Sequence, residues 1–275
     1  MPRMVAEQHR PAPHAAAFFD VDRTLLRGSS LLHVARPMRR EGLLPTRAMF
    51  HSLLVQARFS LFGFDEVQIR DAVRGAGAMV AGIESERLLS FAERVVPTHV
   101  VRRVYAEARA RIDWHQRRGD LVFLVSSSPR EFITVLGSVL GVDGIAATDA
   151  ELRQGRYTGR ILRLCHGEGK ADAVRELAAT HHVGLDISFA YGDSFASDLA
   201  MLEAVGHPVC VNADRLLTAH AAVLGWPVER FQRLSMRPGA ASFRRLPRRV
   251  VTGSSPAVQR ARGHVRRTAR ALREL

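Results

Sequence analysis

The sequence predicts an α/β protein, a Rossmann-like parallel sheet with its ligand groups at the carboxyl ends of the strands and a helical insertion after the first strand. Three observations predict it. Short, fully apolar runs at residues 15–19 and 121–125 have the length of buried strands rather than of helices. Each of them, and a third run at 187–191, ends in acidic or small polar residues, which is where open parallel sheets bind ligands. Between the first two runs lie nearly a hundred residues, from Arg27 to Gly119, too many for a simple crossover connection.

The first strand opens into Asp20-Val21-Asp22-Arg23-Thr24. In extended backbone, residues two apart share a face, so Asp20 and Asp22 project into one crevice while Val21 points away. Such a pair lets one carboxylate attack while the other moves protons, although Asp and Thr are also ordinary turn residues. The second strand ends in Ser126-Ser127-Ser128-Pro129-Arg130-Glu131. Here Ser128, Pro129 and Glu131 read as N-cap, first helical residue and capping box. Ser126, just before the cap at the strand mouth, is the better phosphate ligand, beside the free N–H groups of a helix start. The third cluster, Gly167-Glu168-Gly169-Lys170, opens a helix over 171–180. A lysine at that end of a helix invites an anionic partner, since the macrodipole mildly disfavours it. The fourth cluster follows the third apolar run, which leads through Gly192 into Asp193, Ser194 and Asp198. Asp193 repeats the placement of Asp20 and can share a cation with it; hard divalent ions bind through one or two carboxylates plus water and substrate phosphate. Asp198 caps or decorates the next helix.

The order DxDxT, strand-terminal Ser, Lys, then GDSxxxxD resembles the haloacid dehalogenase superfamily of phosphatases, over roughly residues 15–226. The resemblance implies Asp20 as nucleophile, Asp22 as general acid and base, and Ser126 and Lys170 as phosphate ligands, with Thr24 and Ser127 beside them. It implies Mg2+ held by Asp20, Asp193 and the backbone carbonyl of Asp22, with Asp198 and Ser194 in support. Residues 206–212 resemble the last core strand of that family. The chemistry makes the same demand. A carboxylate attacking a phosphate dianion meets like-charge repulsion, so cations must neutralise both partners.

Within the insertion, residues 31–35, 49–55, 67–80 and 88–114 carry apolar residues at three- and four-residue spacing, broken near Gly42, Pro45, Gly63 and Gly82. This reads as a bundle of about four helices. It resembles the helical cap of the phosphoserine phosphatase-like subgroup, a lid that closes over the aspartates. The expected organisation is residues 1–14 as a disordered N-terminus, a core of 15–27 and 119–229, a cap of 28–118, and an Arg-rich linker and helix at 230–275. The chain departs from the phosphoserine signature at two places. Ser29 stands nine positions after the nucleophile, where an acidic residue would hold the substrate ammonium, and Ser127-Ser128 replace the usual glycine pair. The expected substrate is therefore a small phosphorylated metabolite, with phosphoserine the less fitting choice.

Composition supports an enzyme: 275 residues with 47% hydrophobic content suffice for one core domain plus an insertion. Cys165 and Cys210, without CxxC spacing, argue against a disulfide framework or a structural zinc site, and His181-His182 and Cys165-His166 read as structural. The first 14 residues lack the apolar stretch of a signal peptide and no run reaches a membrane span, so a cytoplasmic location is expected. There is no Walker loop and no dinucleotide fingerprint. The formal charge of +13 is local: residues 230–275 hold 13 arginines and one acid, leaving 27 basic against 26 acidic residues in 1–229. Within this tail, 231–253 reads as a linker and 256–275 as a helix with an Ala- and Val-rich stripe. Such a helix suits anionic lipid, a nucleic-acid backbone, or docking on its own domain. Phosphoryl transfer to an acceptor other than water, a non-catalytic phospho-acceptor, and an adaptor working through the tail are the alternative functions.

Overall fold

Strand β1 (Ala16–Phe19) is buried on both faces, and its alternating side chains feed two separate cores. Ala17, Phe19 and Val21 join one hydrophobic cluster, Ala16 and Phe18 the other. Strand β2 (Leu121–Pro129) repeats the division, with Val122 and Leu124 on one side and Phe123 and Val125 on the other. A strand apolar on both faces must sit in the middle of a sheet covered by helices on each side. The computed structural model of the chain, which describes residues 14–43, 75, 77, 78 and 80–235, shows this arrangement.

Among the described residues, seven strands form one sheet in the order β4-β3-β2-β1-β5-β6-β7, with β3 at Gly144–Arg153, β4 at Arg156–Arg163, β5 at Phe189–Gly192, β6 at His207–Val211 and β7 at Val228–Glu229. All neighbours are parallel except β3 and β4, an antiparallel hairpin at one edge. Strand β1 pairs with β2 on one side and β5 on the other, which makes the crevice beyond its end the topological switch point. Register then places the site: Phe19 stands opposite both Leu124 and Tyr191, and the Asp20 N–H donates to the Tyr191 carbonyl at 2.9 Å. Stacking of Phe19 on Tyr191, with centroids 4.3 Å apart, locks that register from the side-chain layer.

The helices are α1 (Ser30–Arg40), α2 (Ser85–Val95), α3 (Ala106–Arg118), α4 (Arg130–Leu140), α5 (Glu168–His181), α6 (Phe195–Glu203) and α7 (Arg215–Leu224). Helices α1 to α4 contribute to the Phe19 side of the sheet, α5 to α7 to the Phe18 side. No helix among the described residues is long and apolar enough to cross a membrane.

Several sequence expectations change in detail. The apolar stretch 88–114 is two helices, because Pro97 lies in a π turn (Val96–Val100) followed by a 3-10 turn (Val101–Arg103). Helix α3, inside the segment assigned to the insertion, packs against β1 and β2, and its buried His115 bridges Asp120 and the Tyr191 hydroxyl at 2.7 and 2.8 Å. The strand expected at 187–191 begins later, after a 3-10 turn at Leu185–Ile187. Strand β6 is not the last, since β7 follows it. The start of the supposed linker is docked: Phe231 is buried against Tyr105, and the Ser235 N–H donates to the Val104 carbonyl. The helical stretch expected at 49–55, the greater part of that at 67–80, and the basic helix at 256–275 lie outside the described residues; residues 75, 77, 78 and 80 are helical.

Candidate active site

Asp20 is the first residue beyond β1, buried at 5% exposure. Its Oδ1 accepts from the Lys170 ammonium at 2.5 Å, while its Oδ2 is buried with no hydrogen-bond partner. Lys170 comes from the first turn of α5, wholly buried, and its ammonium also donates to Asp198 Oδ1 at 2.7 Å. The turn into α5 is tight at Gly169, where a Cβ would stand 2.1 Å from the Leu164 carbonyl oxygen. Sequence order alone put Lys170 at a helix start; its depth explains why it needs anions around it.

Asp198, in the first turn of α6, is fully buried and engaged at both oxygens. Its Oδ2 accepts from the N–H groups of Asp193 and Ser194 at 2.8 and 3.0 Å. That grip holds the turn after β5, and it needs Gly192, because a Cβ there would lie 2.6 Å from the Asp198 Cβ. Asp193 thus faces Asp20 from the adjacent strand end. Oxygens of Asp20, Asp193 and Asp198 lie within 4.8 Å of one another. Arg23, held at a positive φ of 67°, reaches Asp193 Oδ2 with its Nε at 2.7 Å.

Asp22 is held differently. Its Oδ1 accepts from the Ser30 N–H at 2.7 Å, the first residue of α1, and its Oδ2 from the hydroxyls of Ser30 and Ser128 at 3.2 and 3.4 Å. The carboxylate therefore caps the N-terminus of α1, where a negative charge is favoured. This corrects the expected capping box. Helix α4 begins at Arg130 with Pro129 at its cap position and no side-chain cap bond; the Ser128 hydroxyl is engaged elsewhere, 2.9 Å from the Ser30 hydroxyl and 3.4 Å from Asp22 Oδ2. Glu131 instead accepts from the Tyr157 hydroxyl.

The remaining candidates divide. Ser126 is buried, and its hydroxyl accepts from the Ser128 N–H at 3.1 Å. The Ser127 hydroxyl donates to the Cys165 carbonyl at 2.8 Å. A cavity of about 330 Å³ is lined by Asp20, Asp22, Ser126, Ser127, Asp193 and Ser194, with His166, Ser197 and Leu32 around them. Thr24 is not part of that lining; its hydroxyl is buried and unpartnered. Sequence reasoning missed Ser30 and Arg23. Ser30 had a signal, as the first residue of an apolar-periodic segment close to an acid.

The electrostatics follow from burial. Burial pushes Asp20 up to about 7 against the pull of Lys170, and it pushes Asp22 up against the Ser30 bonds. Burial also raises Asp193 well above the usual carboxylate range, with the charges of Asp198 and Asp20 adding to it. Asp198 goes the other way: burial works to raise it, but the Lys170 charge and the bonds it accepts hold it below its ordinary value. For Lys170, burial is outweighed by Asp198 and Asp20, and the ammonium is held in its charged form. Carboxylates outnumber buried ammonium groups here, and one Asp20 oxygen has no donor. That donor set suits a hard divalent cation bound through one or two carboxylates. Since both Asp198 oxygens are occupied, the ligands would be Asp20 and Asp193.

Asp20 and Asp22 at the switch point of a parallel sheet, with a buried lysine and two further acids beside them, make this crevice the candidate active site of an α/β enzyme. Residues 17–203 match the family model described as haloacid dehalogenase-like hydrolase, and the chain belongs to that family. It is an enzyme. Among its relatives, a Mycobacterium tuberculosis protein called "Probable phosphatase" is 40% identical over 239 residues, covering 85% of this chain and 83% of the relative. The phosphoserine phosphatase SerB1 of M. tuberculosis is 33% identical over 220 residues, 79% of this chain and 71% of that one. Among solved structures, a protein of unknown function from Bordetella pertussis superposes with a TM-score of 0.68 at 28% identity, covering 79% and 99%.

Proposed function

We propose that the enzyme is a Mg2+-dependent phosphatase that hydrolyses a small phosphomonoester through an aspartyl-phosphate on Asp20. The single observation that carries the reading is the setting of Asp20, which lines the cavity with one oxygen fixed by Lys170 and the other buried without a hydrogen-bond partner. The names of the mycobacterial relatives support phosphatase chemistry.

A carboxylate oxygen of Asp20 attacks phosphorus, and the ester oxygen leaves on the opposite side. Asp22, whose pKa is raised by burial, carries the proton for that oxygen and later takes one from the hydrolytic water. Ser30 and Ser128 keep it pointed at the reaction. Lys170 is positioned to balance the charge of Asp20 and of the phosphoryl oxygens, and Asp198 keeps it there. Ser126 and the N–H groups at the strand mouth receive the phosphate. Mg2+ held by Asp20, Asp193 and the backbone carbonyl of Asp22 would supply the remaining positive charge. Helices α1 and α2, which pack on each other and line a cavity together with the start of α4, act as the lid that keeps water out.

The test is phosphate release from p-nitrophenyl phosphate with Mg2+ and with EDTA, for the native chain and Asp20→Asn. The reading expects turnover only for the native chain with metal. Equal rates for Asp20→Asn, or release unaffected by chelation, would overturn it.

A further inference from the structure

Two cavities meet at Asp22. The first is the catalytic crevice; the second, of about 470 Å³, shares Asp22, Ser29 and Ser127 with it. It runs away from Asp20, between α1 and α2 on one side and α4 with the β3–β4 hairpin on the other. Its walls are apolar, formed by Met38, Leu43, Leu88, Phe132, Ala150 and Ile161.

Its charged lining is already spent on internal partners. Arg130 is paired with Asp149, and Glu131 accepts from Tyr157, whose ring closes one wall. Burial pushes Glu131 upward, toward its neutral form. Ser29 and Ser128 at the mouth are neutral. Of the remaining acids of the lining, Asp22 accepts from Ser30 at the mouth and Glu86 is exposed to water. A volume of this size, mostly apolar in surface with polar groups interspersed, has the character of a small-molecule site.

We infer that this second cavity receives the leaving group, and that the natural substrate is the phosphomonoester of an alcohol with an extended hydrocarbon body. The inference rests on the phosphatase reading above. The ester oxygen must stand at Asp22 to receive its proton, so the body attached to it continues into the space that opens beyond Asp22. An amino-acid alcohol such as serine would carry an ammonium and a carboxylate into that space. Among the described residues lining it, no buried charge is uncommitted, so both groups would lose water without compensation. A hydrocarbon body meets the opposite situation and covers Leu89 and Leu152, which line the cavity while 37% and 41% exposed.

The experiment is a series of ethyl, butyl, hexyl and octyl phosphates with O-phosphoserine alongside, in Mg2+. Turnover is measured with the native chain, and binding by calorimetry with Asp20→Asn. Expected is a rise of about fourfold in kcat/KM and in affinity per methylene, the worth of one buried CH2, with phosphoserine below octyl phosphate. Leu89→Glu and Leu152→Glu, at partly exposed positions, should flatten that gradient. Turnover with no gradient, or with phosphoserine preferred, overturns the inference and leaves the phosphatase reading standing. A gradient in binding without turnover supports the apolar site and overturns the phosphatase reading. Neither binding nor turnover overturns both.

Discussion

Replacing Lys170 by Met removes one charge from the centre of the site while nearly conserving the volume of the side chain. Lys170 has no exposure, and its ammonium sits 2.5 Å from Asp20 and 2.7 Å from Asp198. Removing one partner of a buried ion pair costs about 3–5 kcal/mol, because the charge left behind has neither water nor counterion. In a domain of this size each kcal/mol moves Tm by about 2–4 °C, so a loss of roughly 6–20 °C is expected. Protonation of Asp20, already pushed up to about 7, offsets part of this and favours the lower end at acidic pH. Turnover should drop by about 10²–10³, the usual effect of deleting one group that stabilises transition-state charge. Melting curves by circular dichroism, with and without millimolar Mg2+, read out both claims. Mg2+ should raise the Tm of Lys170→Met more than that of the native chain, since the variant's acids have lost their internal cation. A variant that melts within 2 °C of the native chain and retains its activity would refute the reasoning.

Asp22→Asn should slow hydrolysis of an alkyl phosphate by about 10²–10⁴, but that of p-nitrophenyl phosphate much less, because its leaving group needs no proton; steady-state rates on both esters check this. Gly192→Ala should destabilise the chain by about 1–3 kcal/mol, since its new methyl meets the Asp198 Cβ at 2.6 Å, measurable by urea unfolding. Burial of His115 holds its imidazole below the ordinary value near 6.5, in spite of the neighbouring Asp120. The unfolded chain therefore takes up that proton first as pH falls, so the contribution of His115 to stability declines below about pH 6.5, against the opposite contribution of Asp20, Asp22 and Asp193, whose raised values make the folded chain bind protons first. His166 and His181 shift the same way, so His115→Gln should make that decline shallower by up to about 1.4 kcal/mol per pH unit, seen in Tm against pH.

Much of the sheet was legible because its central strands are apolar on both faces and end in acids, a pattern that no surface strand or helix imitates. The spacing of Asp20 and Asp22 already gave a shared crevice, and the positions of Asp193 and Lys170 at element ends placed them near it. The β3–β4 hairpin was not legible from its side chains, since Asp149, Glu151, Arg153, Arg160 and Arg163 interrupt any apolar alternation. Its turn did carry a signal: Gln154 and Gly155 both adopt positive φ, 50° and 77°, as a two-residue hairpin requires. The grip of Ser128 on Asp22 joins residues 106 apart in sequence, so local reasoning assigned that hydroxyl to the nearest helix instead. The second cavity was equally hidden, because its walls come from α1, α2, α4 and a hairpin whose relative placement no periodicity encodes.

Catalysis through Asp20 requires a covalent bond to its carboxylate, and acid-quenched turnover followed by peptide mass spectrometry observes that bond directly. With Mg2+ and a fast substrate, phosphate should appear on the peptide that contains Asp20, and vanish both in EDTA and in Asp20→Asn. Phosphate on His166 or a serine, or turnover with no labelled peptide at any quench time, would contradict it.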